Sequence, residues 1–142
     1  MTSIQSYCPW DAQCGSLLDA HPELDALCVC DHDVRVLGSA FKHAELENIT
    51  KLDTYQMKPL LPLLGAAKAN KTNLTFLYDR FLVVGSEKDG LTAKSETKSL
   101  FFRVTGTLYI LGISMDPSNE RKHEAAYDAA CAVQDYFKAA YF

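Results

Sequence analysis

Residues 103–142 constrain the fold more than any other stretch of the chain. They read as two apolar strands joined at Thr105-Gly106-Thr107, a stop at Asp116-Pro117, and one long helix over 118–142. Pro117 has no amide hydrogen and disfavours helical geometry at Asp116, so the strand cannot run straight into the helix. Within that helix Ala126, Ala129, Ala130, Val133, Phe137 and Ala140 fall on one stripe at about 100° per residue. Alanine at so many inward positions lets a helix approach a sheet closely, so the stripe is expected to lie on an antiparallel sheet. Ser118 or Asn119 can cap its start, and Glu120 suits the positive end of its dipole.

A chain of 142 residues with 48% hydrophobic composition supports one ordinary core, and a single domain over 1–142 is expected. The formal net charge of −4 argues against nucleic acid as a partner, because phosphate binding needs clustered Lys and Arg. The sequence has no apolar run of about 18 residues and no signal-peptide pattern at its start, so a cytoplasmic protein is expected. Cys8, Cys14, Cys28, Cys30 and Cys131 have no framework spacing and are expected as thiols. Cys28-Val29-Cys30 reads as strand packing, since zinc-binding pairs usually keep two to four residues between cysteines.

Along the chain, Pro9 interrupts any helix begun at 3–7, and 10–18 is expected to continue it. Residues 24–30 and 34–37 read as a hairpin turning at Asp31-His32-Asp33. Short helices are expected over 44–51 and 59–68, the second with Pro59 and Pro62 in its first turn. A second hairpin joins 74–78 to 81–84 through Asp79-Arg80, and further strands cover 91–94, 100–104 and 107–114. About seven strands with helices between and at both ends give an α+β layered architecture.

No nucleophile motif, Gly-rich phosphate loop or paired metal-ligand spacing appears, and His21, His32, His43 and His123 are scattered. A binding protein without metal or cofactor is expected in place of an enzyme. Asp31-His32-Asp33 comes nearest to a reactive cluster, and a turn accounts for it.

The order of these elements resembles profilin, the small actin-monomer-binding protein, over essentially the whole length. The matching stretches are Ser3-Ile4-Gln5-Ser6-Tyr7, Val34-Arg35-Val36-Leu37, Leu91-Thr92-Ala93-Lys94, Val104-Thr105-Gly106-Thr107 and Gln134-Asp135-Tyr136-Phe137. The resemblance implies a profilin-like fold: a central antiparallel sheet of six to seven strands, the N- and C-terminal helices on one face and short helices on the other. It also implies a eukaryotic, cytoplasmic, monomeric protein that captures actin monomers one to one and regulates the cytoskeleton. The implied actin contacts are Lys94, Arg103, Thr105, Lys122, Glu124 and Tyr127. Charge reversal at Arg103 and Lys122 is expected to weaken that binding without lowering the melting temperature.

The same resemblance places a polyproline site at Ile4, Tyr7, Arg35, Tyr136 and Phe142. Ile4 and Arg35 stand where the family usually has tryptophans, so binding of proline-rich proteins is expected to be weak or lost. Trp10 and Tyr141 are candidate replacements. Phosphoinositide binding would rest on Lys88, Lys94, Lys98, Arg103, Lys122 and Lys138, and interleaved acidic residues are expected to keep it weak. The competing expectation is a small-ligand sensor or a trafficking adaptor of similar α/β build, the first marked by a buried apolar cavity and the second by dimerisation.

Overall fold

The computed structural model describes residues 9–66 and 70–142. Its strands are β1 (Ala26–Asp31), β2 (Val36–Phe41), β3 (Asn73–Phe76), β4 (Asp79–Glu87), β5 (Gly90–Lys94), β6 (Lys98–Val104) and β7 (Leu108–Met115). Helices are α1 (Asp11–Ala20), α2 (Thr54–Met57) and α3 (Glu120–Ala139), with 3₁₀ turns at Ala44–Lys51 and Leu61–Leu63. The strands form one antiparallel sheet in the order β2-β1-β7-β6-β5-β4-β3.

Strand alternation sorts the core onto two faces. On one face Leu27, Val29, Phe101, Leu108 and Ile110 meet Cys14 and Leu18 of α1 and the Ala126-Ala130-Val133-Phe137 stripe of α3. On the other, Cys28, Cys30, Leu100, Phe102 and Ile113 meet Leu46, Ile49, Met57 and Leu60 from the short helical turns. The expected α+β layering, terminal helices on one face and short helices on the other, is present.

Several boundaries differ from expectation for physical reasons. The second hairpin turns at Leu77-Tyr78 and not at Asp79-Arg80, since Phe76 faces Asp79 and both turn residues have positive φ, 50° and 64°. That is the turn hand that matches strand twist, and burying Phe81 and Val83 on one face fixes the register. Residues 59–66 form only the brief turn at Leu61–Leu63, because neither Pro59 nor Pro62 can donate to an α-helical ladder; 67–68 lie outside the described residues. Ala44–Lys51 is 3₁₀ and not α, consistent with buried Leu46, Ile49 and Leu52 at spacing three. β2 starts at Val36 because Asp31 accepts from the amides of Asp33 and Arg35, both at 2.9 Å, and holds Val34 at φ 60°. The expected turn at Asp31-His32-Asp33 is present. The expected start at 3–7 lies outside the described residues.

The terminal helix ends earlier than expected, and Ala140 is exposed. Phe142 N donates to Phe137 O at 2.9 Å and Tyr141 N to Lys138 O at 3.0 Å, with Tyr141 at φ 70°. This is a Schellman ending carried by tyrosine in place of glycine. It folds Phe142 back, and its main-chain oxygen accepts from Thr107 N (3.0 Å), Thr107 Oγ1 (2.7 Å) and Thr105 Oγ1 (2.9 Å). The Thr105-Gly106-Thr107 hairpin therefore clamps the end of α3.

Candidate functional site

The helices do not cover their whole face of the sheet. α3 lies over the β6-β7 side, and the β3-β4-β5 part is left open. Alternation places Asn73 and Thr75 of β3, Arg80, Leu82 and Val84 of β4, and Thr92 and Lys94 of β5 on that open part. Asn73, Leu82 and Lys94 stand in one cross-strand row. Leu82 is 40% and Val84 44% exposed, an apolar pair in the middle of an otherwise polar surface.

Where the open sheet meets α3 there is a groove of about 460 Å³, lined by Val84, Thr92, His123, Glu124, Tyr127 and Asp128 among others. Its floor is fixed from beneath. Tyr127 Oη donates to Glu87 Oε1 at 2.6 Å, and Arg103 Nη1 donates to the same oxygen at 3.1 Å. Arg103 Nε donates to Gln134 Oε1 at 2.9 Å, and its guanidinium carbon lies 5.6 Å from the Tyr127 ring centroid. The Tyr127 hydrogen bond and the Arg103 charge hold the Glu87 carboxyl below its usual range against some desolvation. The hydrogen bond to Glu87, with burial, raises the Tyr127 phenol. His123 is pushed down by burial and by Lys94, and Ser99 Oγ is 2.7 Å from its Nδ1. Ser99 is buried, so this Ser–His contact is not open to a substrate.

Three of the six expected actin contacts gather here: Glu124 and Tyr127 on the groove and Lys94 beside His123. The other three are elsewhere. Lys122 turns to the opposite flank of α3, where its Nζ meets Asp25 Oδ2 at 3.0 Å. Thr105 is buried in the clamp on Phe142. Arg103 is 4% exposed beneath α3, so the expectation that reversing its charge spares stability does not hold. Sequence reasoning missed Leu82 and Val84, although β4 alternation gave the signal: Phe81 and Val83 point to the core, and their neighbours must point away.

Between α1 and α3 lies an aromatic cluster. Trp10 stacks on Phe137 with centroids 5.6 Å apart and meets Phe142 edge-on at 4.9 Å. Tyr136 packs on Phe137 and accepts from Gln13 Nε2 at 2.7 Å. Tyr136 and Phe142 are thus brought together, with Trp10 between the helices. Tyr141 points to solvent, and Arg35 is held in the β1-β2 turn by Asp31 (3.0 Å) and Asp33 (3.2 Å). Ile4 and Tyr7 lie outside the described residues. Of the basic residues, Lys98 pairs with Asp79, Arg103 with Glu87 and Asp89, Lys122 with Asp25, and Lys138 with Asp89.

Cys14, Cys28 and Cys30 are buried and Cys131 is half-buried; burial pushes the Cys30 thiol up to about 12. Among the described residues no group of three His, Cys, Asp or Glu could hold a metal ion, and no helix is long and apolar enough to cross a membrane.

No protein-family model and no curated protein matches the sequence. Solved structures do match. Acanthamoeba castellanii profilin IB is similar at a TM-score of 0.70 and 12% identity, covering 94% of this chain and 99% of that one. LokiProfilin2 from its complex with rabbit actin gives 0.54 at 10% identity, covering 84% and 90%. Myxococcus xanthus MglB gives 0.55 at 14% identity, covering 98% and 94%. At such identities these likenesses establish architecture alone, and the architecture of this chain is a divergent profilin-like fold.

Proposed function

We propose that this protein is a profilin-like actin-monomer-binding module whose partner docks on the open β3-β4-β5 face and the adjoining first half of α3. The observation that carries the reading is the uncovered apolar pair Leu82 and Val84, framed by Lys94, Glu124 and Tyr127. A rigid sheet with a small apolar centre and a polar rim has the anatomy of a protein-docking surface. The likeness to a profilin solved with actin supports actin as that partner. Arg103 supports the surface from beneath, while Thr105 and Lys122 lie away from it. Any change in actin nucleotide exchange follows from unequal binding to two actin conformations. Polyproline and phosphoinositide binding are weak in this reading: Trp10 is engaged with Phe137 and Phe142, and Lys98, Arg103, Lys122 and Lys138 are paired with carboxylates. A one-to-one complex at micromolar actin monomer, lost on Lys94→Glu combined with Tyr127→Ala, is the expected result of a pull-down with quantified input. Wild-type protein that leaves all actin unbound at those concentrations refutes the proposal.

A second reading, an adaptor of similar α/β build, is compatible with the fold likeness to MglB. That reading requires a stable dimer. Light scattering separates the two, because the actin-binding module is monomeric.

A further inference from the structure

The two edges of the sheet are treated differently. At β2, the start of α1 occupies the outer backbone groups: Trp10 N donates to Leu37 O at 3.1 Å, and Asp11 Oδ1 accepts from Ser39 N at 2.9 Å. At β3 the Val83 N to Thr72 O bond of 2.9 Å sets the phase of the ladder. Leu74 and Phe76 therefore turn their backbone groups toward β4, while Asn73 and Thr75 turn theirs outward. Those outward groups have no partner among the described residues. β3 also lacks the proline, lysine or inward charge with which edges are normally blunted.

A groove of about 470 Å³ runs along the same edge, lined by Tyr55, Gln56 and Pro59 on one side and Thr75, Phe76 and Tyr78 on the other. Phe76 points to the core and Thr75 to the opposite face, so the groove wraps the strand edge. Tyr55 is 84% and Tyr78 85% exposed. Tyr78 holds its ring out from a positive-φ turn where asparagine or glycine would be far less strained. Gln56 Oε1 is a buried acceptor without a donor among the described residues.

We infer that this edge is a docking site for an extended peptide segment of another protein, which adds to β3 as an eighth strand and places a large apolar or aromatic side chain between Tyr55 and Tyr78. The match is one of hydrogen-bonding polarity. Outward N–H and C=O groups at Asn73 and Thr75 are complemented by a second strand. A polyproline segment has no such N–H groups. Two charged residues also line the groove: Asp53, which caps α2 by accepting from Gln56 N at 2.9 Å, and the exposed Lys58. The site borders the proposed actin face, sharing Thr75 of β3 with it, but the inference does not depend on that reading.

The test uses a fluorescently tagged Thr-Phe-Thr-Phe-Thr peptide, the same peptide N-methylated at alternate amides, and a proline decamer. Saturable anisotropy with the first, protection of the Asn73 and Thr75 amides from hydrogen exchange, and about tenfold weaker binding of the methylated form are expected. Tyr78→Ser is expected to weaken the first peptide by a similar factor, and Thr75→Pro, which removes only an outward donor, to do the same. The inference is overturned by equal binding of the methylated peptide, by tighter binding of the decamer at this edge, or by no binding of the first peptide up to about 1 mM.

Discussion

Gln134 meets Arg103 in the interior beneath α3, Oε1 to Nε at 2.9 Å, thirty-one positions apart in sequence. The amide's other end donates to Val104 O at 2.7 Å, so Gln134 joins α3 to β6 at two points. Arg103→Met leaves Gln134 Oε1 buried without its donor, while the half-exposed Glu87 and Asp89 regain water. The expected loss is about 2–4 kcal/mol in urea unfolding. Adding Gln134→Leu should cost less than its effect alone, because the orphaned acceptor goes with it. A loss under about 0.5 kcal/mol for Arg103→Met contradicts the network.

Acid should loosen the fold in two stages. Burial and Lys94 hold His123 below the ordinary imidazole value of 6.5, so the unfolded chain takes up that proton first. The resulting stability is complete above 6.5 and falls as pH drops through the lowered folded value. His123→Gln should flatten stability between about pH 6.5 and 5. Burial alone would raise Asp25, but the Met115 amide, Lys122 and His43 outweigh it and hold the carboxyl below 3.8. Its contribution is complete above 3.8 and is lost below that as the carboxylate is protonated. Asp25→Asn should therefore lower stability at pH 7 and have little effect at about pH 2. Unchanged pH profiles in both variants contradict this assignment.

Ala130 lies against Gly112, where an added Cβ would stand 4.0 Å from the Ala130 Cβ and 3.3 Å from Leu24 Cδ2. Ala130→Leu is expected to cost about 1–3 kcal/mol by overpacking, several degrees in a thermal melt. An unchanged melt contradicts close seating of α3 on the sheet.

Titrating a proline decamer while following Trp10 fluorescence should give no saturation below about 100 μM. The ring is stacked on Phe137 and edged by Phe142, which leaves little flat indole for a ligand. Micromolar saturation contradicts weak polyproline binding.

The seven strands and the α3 stripe were legible in the sequence because alternation and the 3.6 period are driven by burial, which Phe81, Val83 and the inward alanines express locally. The turn at Leu77-Tyr78 was not, since its residues lack the usual turn chemistry and tertiary register decides it. Basic residues were weighed by sign, yet Arg103 and Lys122 are fastened to Glu87, Asp89 and Asp25 by contacts distant in sequence. The clamp of Thr105 and Thr107 on Phe142 depends on where α3 ends, which a helical period does not state.

The most direct test of the actin-type surface is the affinity for actin monomers of Leu82→Glu and Val84→Glu, both already solvent-facing. Binding weakened by about tenfold or more, with melting temperature unchanged, is the predicted result. Wild-type affinity in both variants would contradict it.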